Sequence, residues 1–163
     1  GASWVAVWLV FQDPAFDYRL VMVGALLPDL VDGPLGGARV LHTLVFSVAL
    51  LALVMLATRR RRALRRHLLA LPVGTFLHLV LDGMWARTKV FWWPLFGTSF
   101  GRRGLPSLGR PLALLVFEEL AGALALAWCW RRFRLGEPAR RSAFLRTGRL
   151  GREFGGPGRA ARR

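Results

Sequence analysis

Apolar residues are grouped along the chain into long, nearly uninterrupted runs, without the alternation of apolar and polar positions that marks a half-exposed β-strand. Two of the runs, residues 38–57 and 111–130, are each twenty residues long. An α-helix of about that length crosses the hydrocarbon core of a bilayer. Residues 68–85 form a third run of similar length. The pattern therefore predicts an all-α fold with several membrane-crossing helices.

Two shorter helices are predicted before the long runs. Residues 1–11 are almost wholly apolar, and residues 15–27 form a second helical stretch that Pro28 is expected to end. Residues 29–34 predict a loop, because they combine glycine and proline with two aspartates. With the three long runs, these stretches predict a multi-pass membrane bundle of about five helices.

The last part of the chain has a different composition. From residue 136 onward, glycine, proline, serine and arginine dominate and the apolar periodicity ends. Such a composition is typical of a segment that cannot form a packed core. We therefore predict two parts: a membrane-embedded domain over residues 1–135 and a basic, disordered tail over residues 136–163.

The basic residues give the predicted bundle an orientation. The chain is 54% hydrophobic and carries a formal net charge of +15, and its mean hydropathy is +0.38. Of its 24 basic residues, 17 lie in residues 59–66 and 131–163, each block directly after an apolar run. Basic residues that flank membrane spans lie preferentially in the cytoplasm. The charge thus predicts orientation in a lipid bilayer, and no specific nucleic-acid partner is expected.

An ionisable pair interrupts the third long run. His78 and Asp82 are four residues apart, so on a helix they share one face. Such a pair costs several kcal/mol in apolar surroundings unless it is compensated. A bound cation is the simplest compensation, and the alternative is that the two side chains only pair with each other.

Further polar residues are predicted at the level of this pair, within ~5–12 Å of one membrane boundary. They are Asp29, Asp32, His42, Glu118 and Glu119. Five carboxylates in one layer would repel one another strongly without cations. Oxygen and nitrogen ligands without sulfur suit zinc, manganese or iron, and the lone Cys129 excludes a thiolate cluster.

Several short motifs resemble, in their order and spacing, the YdjM-type family of membrane-bound metal-dependent hydrolases. The motifs are GALLPDLVD at residues 24–32, LHTL at 41–44, HLVLDGMW at 78–85 and FWWPLFG at 91–97. That family is associated with LexA binding and the bacterial inner membrane, and is distantly similar to zinc-dependent phospholipase C.

The resemblance implies an all-helical enzyme that hydrolyses a phosphoester, including one in a lipid, at the outer boundary of the inner membrane. It implies that four residues ligate one divalent metal, with zinc the first choice: Asp29, His42, His78 and Asp82. It also implies that Asp32 or Glu119 completes a second metal site or acts as a general base.

Two other functions fit the same sequence. One is a non-enzymatic membrane protein whose polar cluster stores or conducts a cation. The other is a membrane-tethered module that uses its arginine-rich tail to bind nucleic acid or a regulator.

Overall fold

The computed structural model describes residues 2–11, 16–100 and 111–150, and over these ranges the fold contains helices and no strand. Its helices are α1 (Ala2–Phe11), α2 (Tyr18–Asp32), α3 (Leu44–Ala57), α4 (Arg62–Leu68), α5 (Ala70–Leu81), α6 (Thr88–Phe91), α7 (Leu112–Arg132) and α8 (Pro138–Thr147), with 3-10 turns at Val40–His42 and Met84–Ala86. The all-α prediction is confirmed, although the described helices outnumber the expected five.

α2 extends further than the sequence predicts. It runs through Pro28 and ends at Asp32. A proline inside a helix removes one backbone hydrogen bond and crowds the preceding turn. Here Pro28 is buried on the same face as Val21 and Gly24, and packing on this face outweighs that cost. The loop predicted from residue 29 was therefore wrong, since Asp29 lies in the last turn of the helix.

α2 and α5 form the most extensive helix pair in the described structure. They meet at two glycines, Gly24 and Gly74. A Cβ on Gly74 would overlap the carbonyl oxygen of Val21 and lie 3.1 Å from the Cα of Gly24, and a Cβ on Gly24 would overlap the carbonyl oxygen of Leu71. The absence of side chains at both positions lets the two backbones touch, which places the C-terminal halves of α2 and α5 side by side.

Two of the predicted membrane spans are shorter helices in the structure. α3 begins only at Leu44, because the Thr43 side chain caps it by accepting a hydrogen bond of 3.1 Å from the backbone N of Phe46. α5 ends before Gly83, whose φ of 64° is left-handed. By length and composition, α7 is the one helix in the described part of the chain that could cross a membrane.

α7 exposes most of its apolar surface. It packs mainly against α1, and Cys129 near its end is buried. Leu112, Phe117 and Leu124 are 76%, 67% and 70% exposed. A contiguous apolar surface of this kind is rare on a water-soluble monomer. α7 is therefore largely unburied in the described structure, and its surface suits a bilayer.

The C-terminal stretch forms a helix that packs, so the predicted disorder was wrong for the described residues from 136 to 150. Phe144 of α8 is buried and stacks on Trp4 of α1, with ring centroids 5.3 Å apart. Leu150 belongs to the same apolar cluster. Both residues belong to a cluster that includes Trp4 and Val7 of α1 and Tyr18 of α2, which local composition does not reveal. Residues 151–163 lie outside the described residues.

Polar contacts fix the end of α8 on the start of α2. The backbone N of Tyr18 donates to the carbonyl oxygen of Gly148 at 2.9 Å, and Arg19 Nη1 donates to that of Leu145 at 2.6 Å. Arg19 Nη2 also pairs with Asp17 Oδ2 at 2.8 Å. Burial alone would raise the pKa of Asp17, but the hydrogen bonds and charge of Arg19 hold it below its usual value.

We expect Gly74→Ala to destabilise the protein by about 1–3 kcal/mol, because its Cβ has no room against the backbone of α2. Gly122→Ala in α7 is the matched control, since a Cβ there meets nothing within 4 Å. That variant should be neutral or more stable by up to about 1 kcal/mol. Thermal unfolding of the detergent-solubilised protein, followed by circular dichroism, measures both. Equal stability of the two variants would contradict the close approach of α2 and α5.

Candidate metal centre

Four side chains converge where α2, α5 and the Val40–His42 turn meet. One ligand atom from each of Asp29, His42, His78 and Asp82 lies within 4.8 Å of the others. His42 Nε2 is 3.2 Å from Asp29 Oδ1 and 3.4 Å from His78 Nε2. His78 Nε2 is 3.6 Å from Asp29 Oδ1 and 3.8 Å from Asp82 Oδ2. The structure thus brings together the four residues that the sequence analysis named as metal ligands.

The separations of these atoms fit a small divalent ion. Ligand atoms at ~2.0–2.1 Å from a tetrahedral zinc lie about 3.3 Å from one another. The distances among Asp29, His42 and His78, from 3.2 to 3.6 Å, are close to that value. Asp82 lies slightly further out. The group could therefore hold a metal through three close ligands, with Asp82 as a fourth at a slightly longer distance.

Burial differs across the group. The His42 and His78 side chains are 0% and 8% exposed, whereas those of Asp29 and Asp82 are 44% and 24% exposed. The site is therefore closed on the imidazole side and open on the carboxylate side. Burial alone would raise the pKa of Asp29, but its hydrogen bond with His42 and the two imidazoles hold it below its usual value. The carboxylate is thus ionised and suited to a cation.

The local structure explains how α5 presents its two ligands. His78 lies in the last turn of the helix, and Asp82 is the residue that caps it. The backbone N of Asp82 still donates to the carbonyl oxygen of His78, at 2.9 Å, so the helical spacing continues through the cap. Both side chains therefore keep the shared face that their four-residue spacing predicts.

Asp32 supports His42 from behind. Its Oδ2 accepts hydrogen bonds from the backbone N of Arg39, Leu41 and His42, at 2.9, 3.0 and 3.3 Å. The same oxygen lies 2.9 Å from His42 Nδ1, and the Asp32 side chain is 2% exposed. A carboxylate oxygen accepts from a ring N–H, so a proton on Nδ1 is directed at Asp32, while Nε2 faces Asp29 and His78. A carboxylate behind a ligating histidine in this way fixes its ring and tautomer.

The two residues considered for a second metal or for general base catalysis do not join the four. Asp32 is buried behind His42 rather than beside the open side of the site. Glu119 is exposed on α7, which packs mainly against α1, and it is not in the converging group. The sequence analysis missed the role of Asp32 because it placed Asp29 and Asp32 in a loop. On a helix, residues three positions apart lie on the same face, so Asp29 and Asp32 would have been predicted to face one side of α2.

An apolar cluster includes Leu79, the residue that follows His78 in α5. Its buried members are Ala38, Leu79, Met84 and Phe91. The apolar run in the sequence predicts a buried face on this helix but does not indicate which of these residues pack together.

No protein-family model, curated protein or solved structure matches the chain. The geometry of the four ligands, together with the contact of Asp32 with His42, is therefore the basis for proposing a function.

We expect Asp32→Asn to weaken zinc binding by about 10–100-fold, because an amide holds the Nδ1 proton of His42 less well than a carboxylate does. Asp17→Asn is the matched control. Asp17 is also a buried carboxylate that accepts a backbone hydrogen bond, but it does so at the opposite end of α2. Calorimetric titration with zinc measures both. Unchanged affinity in Asp32→Asn, or an equal loss in Asp17→Asn, would show that Asp32 does not support the site.

Proposed function

We propose that the protein is a membrane-bound, metal-dependent hydrolase of a phosphoester. The observation that carries this proposal is the convergence of Asp29, His42, His78 and Asp82, with three ligand atoms at metal-like spacing and the carboxylates toward solvent. A catalytic metal needs an open or adaptable coordination position, whereas a structural site is closed. Three close ligands leave the fourth coordination position open, on the side where Asp82 lies. The donor set favours zinc and also suits manganese or iron.

A divalent metal held at this site would supply a Lewis acid for a phosphoryl oxygen. In our proposal Asp29, His42 and His78 hold the metal, and Asp32 keeps the His42 ring in position. Asp82, the outlying member of the group, then lies beside the fourth coordination position without filling it, and it is exposed enough to meet a substrate. It therefore takes the proton-accepting role that the sequence analysis gave to Asp32 or Glu119.

The surroundings of the site support a substrate that lies in a membrane. Trp85 and Phe96 follow α5 in the chain and are each 62% exposed, and Leu95 is 77% exposed. Tryptophan and other large apolar side chains at the end of a helix are typical of the headgroup level of a bilayer. A phosphoester in a lipid headgroup would meet the open carboxylate side of the site at that level.

The same surfaces support a multi-pass arrangement in the bacterial inner membrane. α3 resembles α7 in exposing large apolar residues, among them Leu53 and Leu56 at 62% and 69%. The arginines of residues 59–66 follow α3, and those from Arg131 onward end α7. We therefore place these basic segments in the cytoplasm and the metal site toward the opposite face.

Single cysteines at two exposed positions test this orientation. In intact cells, Ser99→Cys should react with an impermeant thiol reagent, and Ser142→Cys in α8 should react only after the cells are opened. The native Cys129 is buried and adds little background. Labelling of Ser142→Cys from outside the cells would contradict the proposed topology, whether or not Ser99→Cys is labelled as well.

Hydrolysis of a generic aryl phosphodiester by the purified full-length protein tests the activity. We expect metal-dependent turnover that a chelator abolishes, and a loss of at least about 100-fold in His78→Ala together with its bound metal. His67→Ala is the control histidine, since it contacts Arg149 at 3.1 Å outside the site and should retain both metal and activity.

The two measurements together separate the proposed functions. A protein that binds zinc through His78 but hydrolyses no phosphoester would fail as a hydrolase and retain its metal site. Ion flux through liposomes containing such a protein would then favour a cation-conducting protein.

A further inference from the structure

The end of the molecule opposite the metal centre carries a concentrated positive charge. Thirteen arginines lie in two stretches, residues 59–66 and 131–149, where Glu137 is the one acidic residue. The structure brings the stretches together, because Arg149 Nη2 lies 3.1 Å from Nε2 of His67 at the end of α4. His67 in turn is 3.9 Å from Asp17 at the start of α2. We call the surface formed by these arginines the arginine face.

Most of the arginine side chains on this face make no hydrogen bond or ion pair within the described part of the protein. Arg65 caps the end of α3 by donating to the carbonyl oxygens of Thr58 and Arg59, and Arg140 pairs with Glu137. Nine other arginines are exposed, and their side chains make no hydrogen bond or ion pair with the described residues. Among them are two on α4, Arg62 and Arg66, and two on α8, Arg141 and Arg146. Their guanidinium groups are available to an anionic partner.

The position of the arginine face identifies the class of that partner. α3 and α7, the helices that expose long apolar surfaces, both end at this face. In the last turns of α7, Trp128 and Trp130 are 42% and 48% exposed directly before Arg131. An apolar surface, then tryptophan, then arginine is the order of groups met on leaving a bilayer core.

The two short helices on this face share a further feature. Leu64 of α4 is 40% exposed between Arg62 and Arg66, and Leu145 of α8 is 62% exposed beside Arg141 and on the same outward side. An exposed leucine flanked by arginines suits a helix that lies in the headgroup layer, where apolar and anionic groups are both within reach. A nucleic acid would contact the arginines but leave the leucines in water.

We propose that the arginine face binds the phosphates of anionic phospholipids in the leaflet beside it. α8 lies along that leaflet, held at its end by the contacts of Tyr18 and Arg19 with Gly148 and Leu145. The guanidinium groups provide paired donors for phosphate oxygens, and leucines on the same surface enter the layer beneath. This surface is separate from the metal centre, so lipid binding does not depend on hydrolysis.

Binding of phosphatidylglycerol and phosphatidylcholine to the full-length protein in mixed micelles tests the proposal. Native mass spectrometry measures the bound lipid. The wild-type protein should prefer phosphatidylglycerol, and the preference should fall as salt rises. Replacing the four helix arginines, Arg62, Arg66, Arg141 and Arg146, with alanine should reduce it by at least about tenfold, whereas replacing them with lysine should keep most of it.

Control variants locate the effect. Arg87→Ala with Lys89→Ala removes two charges from the opposite end and should leave the preference unchanged. If the fourfold alanine variant does not fold, Arg62→Ala with Arg66→Ala, and Arg141→Ala with Arg146→Ala, should each reduce the preference by about threefold or more.

Three results would overturn the proposal. They are an unchanged preference in the alanine variants, an equal loss in the Arg87 and Lys89 control, or RNA binding by a protein that does not distinguish the two lipids. In each result, the metal content of the variants is a separate measurement that bears only on the hydrolase site.

Discussion

The contact between Gly24 and Gly74 determines where the metal ligands can meet. Asp29 lies five residues beyond Gly24 and His78 four residues beyond Gly74, so they stand about 7.5 and 6 Å along their helices from the same contact. Helices with larger side chains at the crossing pack 8–10 Å apart. The backbone contact at the glycines brings α2 and α5 closer together than that. A carboxylate from α2 and an imidazole from α5 then come within 3.6 Å without any long side chain.

Asp32 both holds the turn over residues 39–42 in place and orients the imidazole ring of His42. One oxygen of its carboxylate accepts hydrogen bonds from three backbone N–H groups of residues 39–42 and lies 2.9 Å from His42 Nδ1. The turn that carries His42 and the orientation of its ring are therefore set by a single group. Because that group is buried on α2, the same helix supplies the ligand Asp29 and the support for the ligand His42. The fold itself thus places these ligand side chains, so that binding of a metal requires little rearrangement of them.

The sequence predicted what depends on local periodicity and could not predict what depends on distant packing. The pairing of His78 with Asp82 follows from helix geometry, and the four ligands were placed together by the motif resemblance and the predicted topology. The continuation of α2 through Pro28 depends on burial against α5, which overrides the local preference of proline. The order of α8 depends on Phe144 meeting Trp4, residues 140 positions apart in the chain. Composition within residues 136–163 contains no information about that contact.

Helix length alone understates how the protein can sit in a bilayer. α3 has fourteen residues and covers ~21 Å, less than the ~30 Å of a hydrocarbon core. Its outer end continues into the Val40–His42 turn, where backbone groups outside a regular helix would be costly in an apolar layer unless they are bonded. Asp32 accepts hydrogen bonds from three of the N–H groups in this region, and Thr43 caps the helix that follows. The Asp32 carboxylate therefore orients His42 and also satisfies backbone N–H groups that would otherwise make this turn costly at membrane depth. Because these N–H groups are bonded, a short α3 is compatible with a site that faces the membrane.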